Sequence, residues 1–325
     1  MTRESLERHQ IWIYLGAIAG GLGAGAMTPG VMEDADRLLW PVLGLLLFTT
    51  FTRIPMRALG KAAGDLRFNA TLLGGNFVLV PAMVWVLVQT LPDDPVIRVA
   101  VAAVLLVPCT DWFITFTHLG GGDGARAIAA SPLLLLAQLL LLPVYLVMFF
   151  EGGRMIEAGL EIRRILGAFV GLVVIPLIMA GLLQYWTGRH PRRSEVLEGL
   201  AWLPVPLLSV VVFLVAVTQV QVVIHWLPAM GHVTAVFIAY LVVAALAGRL
   251  LTRMANLPTS AGRTLVFSLG TRNSFVVLPL ALALPVGWEA AVVVIVLQTL
   301  VELLGMSAYL RWVPGWLLPD RPRTP

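Results

Sequence analysis

Apolar residues in this chain come in long runs separated by short polar segments. Each run holds about 20 residues, enough for a helix to cross a hydrocarbon core of about 30 Å. Ten such runs predict ten transmembrane helices, over residues 11–30, 38–55, 70–91, 97–119, 127–150, 163–186, 196–219, 229–251, 261–285 and 288–312. The longest segments between them, EGGRMIEAGLEIRR and TGRHPRRSEV, are ordinary loops, and the tail PGWLLPDRPRTP is short and proline-rich. A single all-α integral membrane domain over residues 1–325 is expected, with no separate soluble domain.

Composition fits that reading: 59% of residues are hydrophobic and 12% charged, against about 25% charged in soluble domains. The net charge of +4 does not mark a nucleic-acid face, because the basic residues are scattered through short loops. Sixteen of them fall on the side of the amino terminus and five on the other. The positive-inside rule then puts both termini in the cytoplasm of a multi-pass protein of the cell (inner or plasma) membrane, in contact with the lipid bilayer. The mixed charge of MTRESLERHQ, followed by a long apolar segment, predicts a retained first span and not a cleaved signal peptide. One cysteine excludes an intramolecular disulfide and any multi-cysteine zinc site, and no cofactor is expected.

Three charges do not belong in hydrocarbon: Asp111 in the fourth span, Arg272 in the ninth and Glu302 in the tenth. The fourth and ninth spans also resemble one another. LLVPCTDWF has a counterpart in VFSLGTRNSF, and laying Thr110 on Thr271 puts Asp111 on Arg272. Gln138 and Gln298 follow in the next spans at nearly equal distances. Five spans is an odd number, so a five-plus-five duplication (about 11–150 and 163–312) gives an inverted repeat, a recurring plan of secondary transporters. Pro108 lacks a backbone donor and favours a break in the fourth span, while Gly270 permits one in the ninth. Unwound backbone inside a membrane is tolerated only where it faces protein or a wet cavity. The two breaks thus predict broken, crossing fourth and ninth helices that share a site.

Each of these residues also has a plainer reading. Pro108 fits a structural kink, and Cys109 fits a small buried hydrophobe. Asp111 and Arg272 fit an ion pair, which offsets insertion costs of roughly 2.5–3.5 kcal/mol per charge. Glu302 suits a proton carrier or a carboxyl beside a water-filled cavity. His118, His225 and His232 read as interfacial, the last two in a loop region between the seventh and eighth spans. No histidine lies at a depth to serve Cys109 as a base, which argues against an intramembrane enzyme. The GGGDG run lacks a following Lys-Ser/Thr and a preceding strand, and reads as a tight turn rather than a phosphate loop.

Ten spans, PCT followed by GGGD in the fourth helix and GTRNSF in the ninth together resemble the bile acid:sodium symporter superfamily. The cysteine after proline, LGTRNSF and LVELLGM resemble its arsenite-efflux (arsenical resistance, Acr) branch in particular. That resemblance implies transport roles for Cys109, for Asn273 at the ninth-helix crossover and for Glu302. The chain departs from the pattern at Val276, where the efflux branch has a glutamate. It departs again at Ser268 and Arg272, where the sodium-coupled branch has a glutamate and a glutamine, and at Asp111, whose counterpart is uncharged. An arginine where a sodium site is expected opposes sodium coupling.

The expectation is a secondary active transporter and not an enzyme, exporting arsenite or antimonite by proton antiport through a midplane site. Cys109 would be a transient thiolate ligand to the metalloid, since soft thiolates suit it. Thr110, Arg272 and Asn273 would complete the substrate site, and Asp111 or Glu302 would carry the proton. The alternative is a sodium- or proton-coupled transporter of an organic anion, with Arg272 reading the substrate's carboxylate.

Overall fold

The computed structural model describes residues 3–27, 32–56, 65–150, 167–188, 194–284 and 287–320. Helix is the only regular structure of more than one residue pair among them. The helices are α1 (Arg3–Met27), α2 (Met32–Thr52), α3 (Leu66–Val88), α4 (Pro95–Leu106), α5 (Trp112–Leu119), α6 (Gly124–Phe150) and α7 (Gly167–Thr187). They continue with α8 (Ser194–Leu200), α9 (Pro204–Thr218), α10 (Val220–Met254), α11 (Thr259–Gly270), α12 (Ser274–Leu282) and α13 (Ala290–Trp312). Among the described residues, six stretches are long and apolar enough to cross a membrane: Leu66–Val88, Gly124–Leu142, Gly167–Thr187, Glu195–Thr218, Met230–Met254 and Ala290–Leu317. Their outward residues include Val78, Leu140 and Leu182, more than half exposed, as a lipid-facing surface requires. The chain is a multi-pass membrane protein.

One correction follows. Residues 220–228, expected to be a loop carrying His225, are helical: α10 runs for 35 residues with Pro228 inside it. A proline removes one ladder bond but need not end a helix whose neighbours supply packing. The expected loop at 151–164 lies outside the described residues.

The chain forms two compact units that interleave along the sequence. The first comprises Met1–Arg53, Ile156–Met230 and Phe275–Val296. The second comprises Ile54–Met155, Gly231–Ser274 and Leu297–Pro325. In the first unit α9 packs against both α1 and α2, and α2 packs against α7. Gly21 and Gly25, four apart on α1, lie so close to α9 that a Cβ at either would strike backbone of Phe213 or Val217. Small residues at this spacing let membrane helices approach where no hydrophobic force drives them together. Gln184 of α7 donates to the carbonyls of Phe51 and Thr52 at 3.2 Å, satisfying the frayed end of α2.

In the second unit α3 packs on α4, and α11 packs on α3, α5 and α6. The GGGDG segment is the tight turn expected. Gly121 has φ +66°, and Gly120 and Gly122 donate to Phe116 and Thr117 at 2.9 and 2.8 Å, closing the end of α5. Asp123 then caps α6, accepting from the Arg126 backbone N–H at 3.0 Å. Arg126 also reaches Asp65 at 2.8 Å, and Asp65 caps α3 by accepting from Phe68. The Arg126 guanidinium, and then the Phe68 N–H, hold the Asp65 carboxyl below the usual carboxylate range. A depressed folded pKa stabilises above the unfolded value and is lost as pH falls. Asp65→Ala is therefore expected to cost about 1 kcal/mol at neutral pH. Its thermal midpoint should converge with that of the wild type as the pH drops through the lowered Asp65 value.

Candidate functional site

The fourth and ninth spans are both broken, and the breaks meet. α4 and α11 are each 12 residues long, and each ends in an extended residue: Val107 (φ −101°, ψ 109°) and Thr271 (φ −95°, ψ 132°). Beyond them the backbones run antiparallel for a single bridged pair, Pro108 opposite Arg272. Cys109 N–H donates to Thr271 O at 3.1 Å, and Asn273 N–H donates to Val107 O at 2.7 Å. This pattern makes Pro108 and Arg272 the non-hydrogen-bonded pair, whose backbone groups point away from the partner. A proline is acceptable there because no N–H is called for. The Arg272 N–H, turned outward, donates to Glu302 Oε2 at 2.9 Å. The helices resume at Trp112 and at Ser274.

Counted from the ends of the half-helices, Thr271 corresponds to Val107 and Arg272 to Pro108, three residues from the alignment expected on Thr110 and Asp111. Gly270 lies at the break, as the last residue of α11, and its backbone is not in the left-handed region. What it supplies is room: a Cβ there would sit 2.7 Å from the Tyr309 ring and 2.8 Å from Met306 Cε.

Glu302, on α13, is 1% exposed and accepts a second bond from Gln298 Nε2 at 2.6 Å. Gln298 in turn accepts from the Ser274 hydroxyl, so Ser274, Gln298, Glu302 and Arg272 N–H form one continuous chain of hydrogen bonds. Among the described residues, Glu302 Oε1 is buried with no hydrogen-bond partner.

The Arg272 side chain is 2% exposed; its Nη groups are held by oxygen acceptors, while Nε is buried without a hydrogen-bond partner among the described residues. Nη2 donates to Asn76 Oδ1 at 2.7 Å, Ser268 O at 2.6 Å and Leu269 O at 3.1 Å, and Nη1 donates to Leu105 O at 3.3 Å. Its Cζ lies 5.7 Å from the centre of the Tyr240 ring, within cation–π range. Leu105, Ser268 and Leu269 belong to the last turns of α4 and α11, whose carbonyl ends carry roughly half a negative charge each. Asp111 was expected as the partner of this arginine; the acceptors the structure gives it are Asn76 and three main-chain carbonyls. The Asp111 side chain stands at the start of α5, 7% exposed, and makes no capping bond.

Cys109 is 3% exposed and Thr110 and Asn273 are equally buried, all at the crossing. The charged groups near the thiol are Glu302 and Asp111, and its polar neighbours are the backbone N–H groups of Asp111 and Phe113.

Asn76 went unnoticed in the sequence. It sits in a π-helical turn of α3, Gly75–Leu79, and donates to Leu72 O at 3.1 Å and to Ser268 Oγ at 3.0 Å. Those two bonds aim its oxygen at Arg272. The signal was available: an amide in an otherwise apolar span, GGNFVLVP, is a polar group that hydrocarbon penalises. A π-turn often marks a functional position.

Residues 40–226 match the model of the Sodium Bile acid symporter family. Comparison with curated proteins gives no match.

Proposed function

Since the chain belongs to the sodium bile acid symporter family, and so is a membrane transporter and not an enzyme, we propose that it is a proton-coupled secondary transporter. Its substrate binds at the crossing of the two broken helices. The observation that carries this reading is the backbone bridge between the breaks, with Glu302 hydrogen-bonded to the amide of the bridged residue Arg272. A buried carboxyl oxygen without a partner costs roughly 1–3 kcal/mol. Glu302 Oε1 is such an atom, which supports a role in carrying protons over one in packing.

The substrate is trivalent arsenic or antimony, exported as protons enter. Its support is the position of the sole thiol in the bridge itself, flanked by Thr110 and opposite Thr271, to whose carbonyl its N–H donates, while Asn273 stands opposite Val107 in the same bridge. A single sulfur holds a thiophilic centre loosely enough to release it, and the hydroxyl and amide suit its oxygens. Asp111 is a second candidate for the proton. In this proposal Arg272 offers the substrate only its Nε, which is buried without a hydrogen-bond partner among the described residues, because its Nη groups are held by Asn76 and by helix-end carbonyls. A second reading, import of an organic anion, is favoured by the family match and by two half-helix N-termini, at Trp112 and Ser274, that attract negative charge.

Ten spans in a five-plus-five inverted repeat belong to the same proposal. Each compact unit draws segments from both expected halves. In the register set by the helix breaks, Gln138 lies 32 residues after Leu106 and Glu302 lies 32 after Gly270. The amide and the carboxylate are thus repeat-related, and only the second half keeps an N–H, that of Arg272, for its partner to bind.

Everted vesicles under an imposed proton gradient test the substrate. Arsenite accumulation is expected, unaffected by sodium, and Cys109→Ser should reduce it to background while leaving the thermal midpoint within about 1 kcal/mol equivalent of wild type. Full accumulation by Cys109→Ser would exclude the thiol. Uptake of a bile-acid-like anion with no arsenite flux would establish the second reading.

A further inference from the structure

The group that surrounds the Arg272 guanidinium is a cation site by its chemistry. Asn76 Oδ1 and the carbonyls of Leu105, Ser268 and Leu269 all present oxygen to one point, and the Tyr240 face lies beside it. Two of the helix ends that supply those carbonyls aim their negative poles there. Carbonyl and amide oxygens of this kind, at the C-terminal ends of discontinuous helices, are what hold sodium in membrane transporters. The family's description implies a sodium ion as co-substrate. This set of residues does not fit one as it stands, because the arginine's own donors already take the oxygens.

We propose that the Arg272 guanidinium is a tethered cation standing in an oxygen-lined monovalent-cation site, and that its removal opens that site to Na+ from solution. The details of the cage agree. Asn76 is fixed with its oxygen inward by its own two donated bonds, so the amide is committed to receiving a cation. Leu269 O accepts from both Tyr240 Oη, at 2.7 Å, and Arg272, and stays turned toward the site without help from the arginine. The cage is therefore built by groups other than its occupant. A covalently held charge cannot dissociate, which makes the site independent of the external sodium concentration. That consequence for transport rests on the function proposed above, whereas the cation site itself does not.

Thermal unfolding of the purified full-length protein, followed in sodium, choline and low-millimolar guanidinium chlorides at equal ionic strength, reads the site without any substrate. The wild-type midpoint should be the same in all three. Arg272→Ala should unfold lower in choline and recover by about 5 °C in Na+ or guanidinium. In the double variant Asn76→Ala with Arg272→Ala, that recovery should disappear. Equal midpoints of Arg272→Ala in sodium, guanidinium and choline overturn the proposal. So does a sodium response of the same size in the wild type, or failure of Arg272→Ala to fold even in sodium and guanidinium. If wild-type vesicles move neither arsenite nor an organic anion, the proposed function fails while the salt dependence of Arg272→Ala still decides the cation site.

Discussion

Glu302→Gln should leave the protein folded and bring proton-driven transport down to background. The substitution keeps an oxygen able to accept from Arg272 N–H, the bond now 2.9 Å long, and keeps the side chain's volume in a site only 1% exposed. It removes the capacity to gain and lose a proton. The expected stability change is about 1 kcal/mol, the net worth of a typical rearranged hydrogen bond. Proton-driven accumulation separates two outcomes that a stability measurement alone would merge. Loss of flux with an unchanged midpoint assigns the coupling to Glu302. Retained flux moves the proton to Asp111, the other carboxyl near the thiol.

Gly270→Val should be the most damaging single change at the crossing. The added Cβ would meet Tyr309 Cε2 at 2.7 Å and Met306 Cε at 2.8 Å, and both residues are almost completely buried. The Met306 methyl ends a flexible chain and has some room to give. Tyr309 does not, because its hydroxyl donates to Leu241 O and fixes the ring. Overpacking of this kind costs about 3 kcal/mol, and the extra γ-methyls of valine add to it. The expected result is a marked fall in monodisperse yield and in thermal midpoint, with Gly270→Ala intermediate between valine and wild type. A valine variant with a wild-type midpoint would mean that α11 and α13 separate at this point more readily than the packing indicates.

How much of this was legible in the sequence depends on what kind of signal each feature leaves. The apolar stretches are legible because bilayer thickness fixes their length. The breaks are legible because Pro108 cannot donate, and because Asp111 and Arg272 are too polar for lipid. The alignment drawn from two matching threonines differs by three residues from one counted from the ends of the half-helices. Those ends are fixed by backbone geometry, the extended Val107 and Thr271, which no side chain announces. The partners of Arg272 were misassigned for the same reason. A buried guanidinium suggests a carboxylate, yet three of its four acceptors are main-chain carbonyls, and these are present at every position of every sequence. Asn76 and Gln298 did leave signals as amides within apolar spans. Their roles became clear only once the chain brought Asn76 to Ser268 and Gln298 to Glu302.

The unmodified protein has one thiol, and it lies in the short extended stretch where the two broken helices pair. Work on moving proteins commonly begins by stripping native cysteines and then adding one back as a reporter. Here no stripping is needed: a maleimide, a spin label or a fluorine tag has one possible address. The rate at which such a reagent reaches Cys109 from each side of a sealed vesicle is a direct record of which way the crossing opens.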